Sequence, residues 1–236
     1  MRREAVNKIR YLLEEWLPPV LRDSTLMRFM FRLYWGRFVD DLEVFREKIT
    51  SLSPDDYRRI YERMPRIQDQ TDNSIACLEE IAARLTSGKV CDVGCGTGYL
   101  LNFLCERDLR SDRTFTGVDF IIDEQTASGH PSIDFVAAPI EQLPFPDRHF
   151  DTVICTHVLE HILDIRAAMT ELRRVCARRL IVVVPLEREY RFTFNPHIHF
   201  FPYPHSFLRH VIPVPAAHLL KTIGRDLLYI EERDEE

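Results

Sequence analysis

Between Lys89 and Leu104 the chain reads Lys-Val-Cys-Asp-Val-Gly-Cys-Gly-Thr-Gly-Tyr-Leu-Leu-Asn-Phe-Leu. No other stretch limits the fold so tightly. Val90, Cys91 and Val93 predict a short buried strand, Gly94, Gly96 and Gly98 a sharp turn, and Tyr99 to Leu104 the start of an apolar helix. Glycine admits positive φ and lets a ligand approach the backbone closely. The unpaired N–H groups and the dipole of a helix start favour negative or electron-rich groups. Strand, glycine turn and helix N-terminus together predict a nucleotide cradle.

The spacing narrows the ligand. A dinucleotide fingerprint reads G-x-G-x-x-G, whereas this run is Asp-x-Gly-x-Gly-x-Gly, followed by Asp119 at the end of the next predicted strand, Thr114 to Val118. On these residues the chain resembles the class I S-adenosylmethionine-dependent methyltransferases. The likeness runs through four further segments: Thr116–Asp119, Pro139–Asp147, Phe150–Ile162, and Glu171–Val175 with Val182–Pro185. It implies a Rossmann-like, seven-stranded, mostly parallel sheet with an antiparallel C-terminal strand pair, plus an N-terminal helical extension. It also implies S-adenosyl-L-methionine as cofactor.

Around that centre the pattern alternates. Strands are predicted near Val90–Val93, Phe115–Val118, Asp134–Ala137, Thr152–Cys155 and Leu180–Val184. Helices are predicted near Gly98–Arg107, Ile121–Ser128, Leu159–Cys176 and Ser206–Val211. Alternation of this kind predicts a parallel sheet wrapped by helices. His218–Ile223 and Leu227–Ile230, around Gly224-Arg225-Asp226, predict the closing strand pair, and Glu231–Glu236 a solvated acidic tail.

Residues 1–70 form the expected helical cap or extension, and residues 71–236 the S-adenosylmethionine-binding domain. Val6, Ile9, Leu12, Leu13, Trp16 and Leu17 follow helical spacing up to Pro18-Pro19, and Leu21–Val39 is rich in large apolar groups. Ser53-Pro54-Asp55-Asp56 predicts a helix N-terminus leading to Tyr57, Ile60, Tyr61 and Met64. Arg63–Asn73 predicts a polar connection, and Asn73 or Ser74 caps the next helix. The first 39 residues hold eight Lys/Arg against four Asp/Glu, while the whole chain carries −6. This basic, aromatic stretch suits either a cap on the catalytic domain or peripheral membrane contact through residues 1–40.

The acidic balance argues against a nucleic-acid partner. No apolar run is long enough to span a bilayer, and no apolar signal core follows Met1-Arg-Arg-Glu, so a cytoplasmic protein is expected. The six cysteines fall mostly in predicted strands or on apolar helix faces, where they behave as small hydrophobes; no metal is expected.

The resemblance assigns roles residue by residue. Asp92 faces the cofactor's amino group, and Gly94, Cys95, Gly96 and Gly98 lie against its methionine and ribose. Asp119 accepts both ribose hydroxyls and Phe120 packs on the adenine. Ala138 and Pro139 stand where many relatives carry an adenine-binding Asp, so that contact passes to backbone near Ile140 and Glu141. Thr156 and His157 follow the fourth strand at the sheet's carboxyl edge, a usual ligand position in open α/β sheets. His157 faces the methyl group or acceptor. The segment Glu187–His205 takes the acceptor-loop position, with His197 and His199 on one side of an extended run. With His157 or Glu187 these two also offer metal donors, but acceptor positioning is the expected role. The catalytic candidates are therefore His157, His197 and His199. The expected reaction is methyl transfer to a small-molecule or glycan-type acceptor, with a resemblance to enzymes of cell-surface polysaccharide assembly. A nicotinamide-dependent oxidoreductase and a non-catalytic S-adenosylmethionine-binding module are the alternatives.

Overall fold

The computed structural model of the chain describes residues 11–36, 38–53, 56, 57, 59, 71–108, 112–123, 126, 131–189, 191 and 196–233. The expected helical positions Val6, Ile9, Ile60, Tyr61 and Met64, the connection at 63–70, half of Ile121–Ser128 and the end of the acidic tail lie outside these residues. Two compact units are present. One comprises Met1–Asp69 with Glu187–Pro202, and the other Gln70–Leu186 with Tyr203–Glu236.

The helical unit contains α1 (Pro19–Arg22), α2 (Thr25–Trp35) and α3 (Phe38–Lys48), preceded by a π-helical turn at Leu12–Trp16. The run predicted as one apolar stretch over Leu21–Val39 is broken twice. Ser24 Oγ accepts from Met27 N at 3.2 Å and starts α2, and Gly36, at φ +62°, ends it. Leu13, Phe31 and Val39 form a small core, with Leu17 and Met27 against it. On α3, Leu42 and Phe45 are buried one turn apart, and Ile49 follows just beyond the helix. Arg28 ties α2 to α3 through Asp40 and Glu43, each at 3.0 Å. Ser53 Oγ accepts from Asp56 N at 3.2 Å, as its position in the sequence predicts for a cap.

Glu187–Pro202 joins this unit because the helices satisfy its polar groups. Arg191 N donates to Asp23 Oδ1 at 3.0 Å, and Arg46 Nε donates to the His197 carbonyl at 3.3 Å. The Arg46 guanidinium also lies over the Phe200 ring, 4.6 Å from its centroid.

The larger unit is built on seven strands: β1 (Gly88–Val93), β2 (Arg113–Asp119), β3 (Ile133–Ala137), β4 (Phe150–Thr156), β5 (Cys176–Pro185), β6 (His218–Ile223) and β7 (Asp226–Glu232). Their order across the sheet is β3-β2-β1-β4-β5-β7-β6. β1 pairs in parallel with β2 and β4, β2 with β3, and β4 with β5; β7 runs antiparallel to both β5 and β6. The closing antiparallel pair and the parallel remainder match the predicted class. Leu180 to Val184 are all fully buried, as expected for a strand covered on both faces.

On one face, α4 (Ile75–Ala83) contributes Cys77, Leu78 and Ile81. It meets Leu100, Leu101 and Leu104 of α5 (Tyr99–Arg107) and the inward residues Val90, Phe115, Ile154, Ile181 and Val183. Strand alternation turns Leu180, Val182 and Val184 the other way. Along β4 and β5 runs α6 (Ile165–Val175), which buries Ile165, Ala168, Met169, Leu172 and Val175. The predicted helix over Leu159–Cys176 is divided. Leu159–His161 is a 3-10 turn, Asp164 Oδ1 caps α6 by accepting from Ala167 N at 3.0 Å, and Cys176 already belongs to β5. A short α7 (Pro204–Leu208) replaces the helix predicted at Ser206–Val211; Pro204 suits its first turn. None of the six cysteines forms a disulfide.

Arg173 of α6 pins the far end of the sheet. Its guanidinium pairs with Glu231 of β7, with Nε 2.9 Å from Oε2, and donates to the carbonyls of Val211 and Pro213 at 2.8 and 3.0 Å. Tyr229 OH donates to Glu231 Oε1 at 2.7 Å. Glu231 is 1% exposed, so removing it strands a largely buried cation. Glu231→Ala is expected to lower unfolding free energy by roughly 3–5 kcal/mol, read from urea denaturation, because a broken buried pair leaves an uncompensated charge.

Candidate cofactor and active site

Chain order reverses between β1 and β4. From β1 the chain steps outward to β2 and β3, then returns to β4 and steps the other way. In open α/β sheets the crevice at the carboxyl ends of such strands is where ligands sit. The glycine turn follows β1 at this edge. Gly94 N and Cys95 N both donate to the Val118 carbonyl, at 2.7 and 3.0 Å. The turn is thereby tied to β2.

Two glycines are dictated by geometry. Gly94 has φ +81°, and a Cβ there would lie 2.1 Å from Val158 Cγ2. Gly96 has φ +56°, and a Cβ there would meet nothing within 4 Å. The first glycine permits close packing; the second borders open space beside the turn. Gly98, at φ +73°, is the N-cap of α5.

Asp119 closes β2 and faces this turn. Its Oδ2 accepts from Gly96 N at 2.8 Å and its Oδ1 from Ile121 N at 3.2 Å. A carboxylate offers about four lone-pair sites, so these two bonds leave acceptor capacity for a diol. Asp92, on β1, is 1% exposed, and its Oδ1 is buried without a hydrogen-bond partner among the described residues. Burial, and then the negative charge of Asp119, push its pKa up to about 8. An ammonium group arriving at Asp92 would supply the missing donor and favour ionisation. An orphaned carboxylate oxygen, a diol-ready carboxylate and open space at Gly96 fit S-adenosylmethionine.

The remaining predicted cofactor contacts are distributed unevenly. Cys95 is buried and packs in the core cluster. Phe120 is half-buried, Ile140 is buried and Glu141 is exposed. The segment carrying the last two is pinned from α6. Leu143 N donates to Glu171 Oε1 at 2.9 Å, and Arg174 donates to the carbonyls of Phe145 and Leu143 at 2.7 and 3.0 Å. Arg174 also pairs with Asp147 at 2.8 Å. The Glu171-Leu-Arg-Arg motif thus shapes the site edge from outside it.

Thr156 and His157 end β4 beside a buried polar group. Asn73 Nδ2 donates to Thr156 Oγ1 at 2.9 Å. His157 has φ +55°, and its N–H donates to the Val183 carbonyl at 2.9 Å. Its Nδ1 lies 3.5 Å from Glu160 Oε1 and its Nε2 3.7 Å from Asp226 Oδ1. Burial pulls its pKa down, but hydrogen bonding to Glu160 and the charges of Asp226, Glu160 and Asp72 outweigh that and hold it above the usual histidine range. His197 and His199 lie in the helical unit, where His197 Nδ1 contacts the buried Glu187 carboxylate.

Asn73 and Asp226 were invisible as site residues in the sequence. Ser74, not Asn73, caps α4, its Oγ accepting from Cys77 N at 3.2 Å. That frees the Asn73 side chain for Thr156. Asp226 looks like a turn residue, and only the pairing of Pro185 with Asp226 brings it to the carboxyl edge of β5.

A seven-stranded sheet with a reversed β7, a glycine turn at its switch point and carboxylates on β1 and β2 is the arrangement of the class I S-adenosylmethionine-dependent methyltransferases. Residues 91–184 match the family described as methyltransferase domain. Over 135 residues it is 30% identical to a 2-phytyl-1,4-naphtoquinone methyltransferase of Nostoc, covering 50% of this chain and 58% of that protein. Over 114 residues it is 32% identical to a ubiquinone biosynthesis O-methyltransferase of Bradyrhizobium, covering 45% and 43%. The chain spans about half the length of the curated relatives it matches. In fold it resembles a protein of Pyrococcus horikoshii, with TM-score 0.55 and 20% identity over 75% of this chain and 99% of that one. It also resembles an S-adenosylmethionine-dependent methyltransferase of Aquifex aeolicus, with TM-score 0.51 and 14% identity over 76% and 97%. No helix among the described residues is long and apolar enough to cross a membrane.

The raised pKa of Asp92 has a direct consequence for stability. The folded protein holds a proton that the unfolded chain releases near pH 4, so stability falls as pH rises from about 4 toward 8. Asp92→Asn is expected to remove this component, measured as a flatter dependence of thermal midpoint on pH without cofactor.

Proposed function

We propose that this protein transfers the methyl group of S-adenosyl-L-methionine to a small-molecule or glycan-type acceptor. The observation that carries the reading is the glycine turn, tied to Asp119 through Gly96 N, beside the orphaned oxygen of Asp92. When bound, S-adenosylmethionine supplies an electrophilic methyl group on a sulfonium. Asp92 orients the amino group by carboxylate–ammonium pairing. Asp119 holds the ribose diol, Phe120 packs on the adenine, and Cys95, Ile140, Glu141 and Thr156 complete the contacts. The main catalytic contribution is alignment of methyl and acceptor for in-line displacement, worth up to ~7–11 kcal/mol in favourable cases.

For a hydroxyl acceptor, His157 takes the proton; His197 and His199 are the candidates for acceptor positioning within the helical unit. The relatives named for quinone methylation support a small, ring-bearing acceptor, and polar groups such as Arg188, Arg191 and Tyr203 support a hydroxylated one.

Calorimetric titration followed by methyl-label transfer to fractionated quinones and glycans tests this reading. Cofactor binding without label on any fraction would support the non-catalytic module instead, and no binding would remove the proposal. Two charge-assisted hydrogen bonds at roughly 1.5–3 kcal/mol each give Asp119→Ala an expected affinity loss of at least about a hundredfold. Binding should release protons near neutral pH, because the ammonium ionises Asp92; titrations in buffers of different ionisation enthalpy measure this. With a hydroxyl acceptor, kcat/KM should rise with pH through the elevated His157 pKa. His157→Asn should erase that limb while leaving cofactor affinity unchanged.

A further inference from the structure

We propose that Asp226 is a positioning residue for methyl transfer, holding the His157 imidazole in place from β7. The inference rests on the reading of His157 as the group that takes the acceptor's proton. His157 has φ +55°, a left-handed conformation that is uncommon for a residue with a Cβ and concentrates at functional sites. Its N–H donates to the Val183 carbonyl, so its backbone is anchored to β5. A carboxylate faces each ring nitrogen. Nδ1 lies 3.5 Å from Glu160 Oε1, and Nε2 lies 3.7 Å from Asp226 Oδ1. Glu160 belongs to the 3-10 turn just after His157 and shares its local segment. Asp226 arrives by strand order instead, opposite Pro185 of β5 and Ile223 of β6. It is therefore the group that ties the ring to the sheet.

Asp226 follows Gly224-Arg225 in a hairpin, where a carboxylate is ordinarily solvated, yet it is 2% exposed. Burying a carboxylate is costly unless donors or a cation meet it. Ser74 Oγ donates to its Oδ2 at 3.4 Å, and the imidazole faces its Oδ1. Ser74 is itself fixed, since its Oγ caps α4 by accepting from Cys77 N. Asp226 is thus braced by α4 on one side and braces His157 on the other. At 3.7 Å the Asp226–Nε2 contact is too long for a hydrogen bond and short enough for strong electrostatic attraction. Nε2 keeps its bonding capacity for an acceptor hydroxyl, and the carboxylate stabilises the imidazolium formed when the ring takes the hydroxyl proton. The charges facing the ring are Glu160 from the turn after β4, Asp226 from β7 and Asp72 ahead of α4; all three favour the protonated ring against the effect of burial.

The test is a histidine NMR titration of the full chain without cofactor or acceptor, with the His157 resonance assigned by its loss in His157→Asn. Asp226→Asn removes one of the charges that favour the imidazolium, so His157 should titrate lower by at least about one pH unit, and Asp226→Glu should restore much of the difference. In methyl transfer to a hydroxyl acceptor, the rising limb of kcat/KM should move to lower pH by the same interval, with S-adenosylmethionine affinity unchanged. Because Asp226 acts through His157, adding Asp226→Asn to His157→Asn should change kcat/KM by less than about twofold. Asp226→Ser is a second neutral variant if Asp226→Asn does not fold; circular dichroism verifies each. An unmoved His157 titration in the folded neutral variants overturns the proposal, as does a full additional loss in the His157→Asn background. Absence of transfer by the wild type overturns the methyl-transfer reading and this one together, whereas an unmoved titration in an active enzyme overturns this one alone.

Discussion

The attachment of the glycine turn to β2 is the constraint on which the site depends. Gly94 N and Cys95 N bond the Val118 carbonyl, and Gly96 N bonds the Asp119 carboxylate. These contacts fix where β1 ends and where α5 begins. They also fix the direction in which Asp119 presents its remaining lone pairs. Val158, against Gly94, brings the end of β4 to the same point. The turn, Asp119 and the Thr156–His157 pair are thus set by one junction at the switch point of the sheet.

Burial gives the carboxylates of Asp92 and Asp119 different characters. Asp119 is half-buried and held by backbone donors, an environment that suits an acceptor of neutral hydroxyls. Asp92 is enclosed, with one oxygen lacking a donor among the described residues, and burial and then the charge of Asp119 hold its proton to about pH 8. The same low-dielectric surroundings that make Asp92 costly when ionised strengthen its pairing with a cation. At the β4 edge the balance is reversed. His157 is enclosed by carboxylates from the following turn and from β7, and these favour its protonated form despite burial.

The helical unit follows a separate logic. Its core is small, and ion pairs from Arg28 and side-chain donors to the 187–202 backbone supplement it. The apolar content of α2 exceeds what that core uses, and the excess is displayed outward.

Much of the fold was legible in the sequence. Every one of the seven strands was indicated, because buried parallel strands are short apolar runs and the glycine motif fixes the register of the first. Boundaries were harder to read. Asp164 cut the helix predicted over Leu159–Cys176, and β5 began at Cys176, since the apolar spacing of α6 continues into the strand without a break. Gly94, Gly96, Asp92 and Asp119 stood out as candidates because the Asp-x-Gly-x-Gly-x-Gly run is continuous in the chain and Asp119 closes the next strand. Asn73, Glu160 and Asp226 were not evident as partners of Thr156 and His157, for their proximity arises from strand order and from the antiparallel return of β7. The sequence by itself determined the strand, glycine turn and helix start, together with the acid that closes the next strand, because these parts lie within thirty residues. Tertiary structure alone decided the electrostatics of His157 and the placement of Glu187–Pro202 with the helices, because both depend on groups brought together across long stretches of chain.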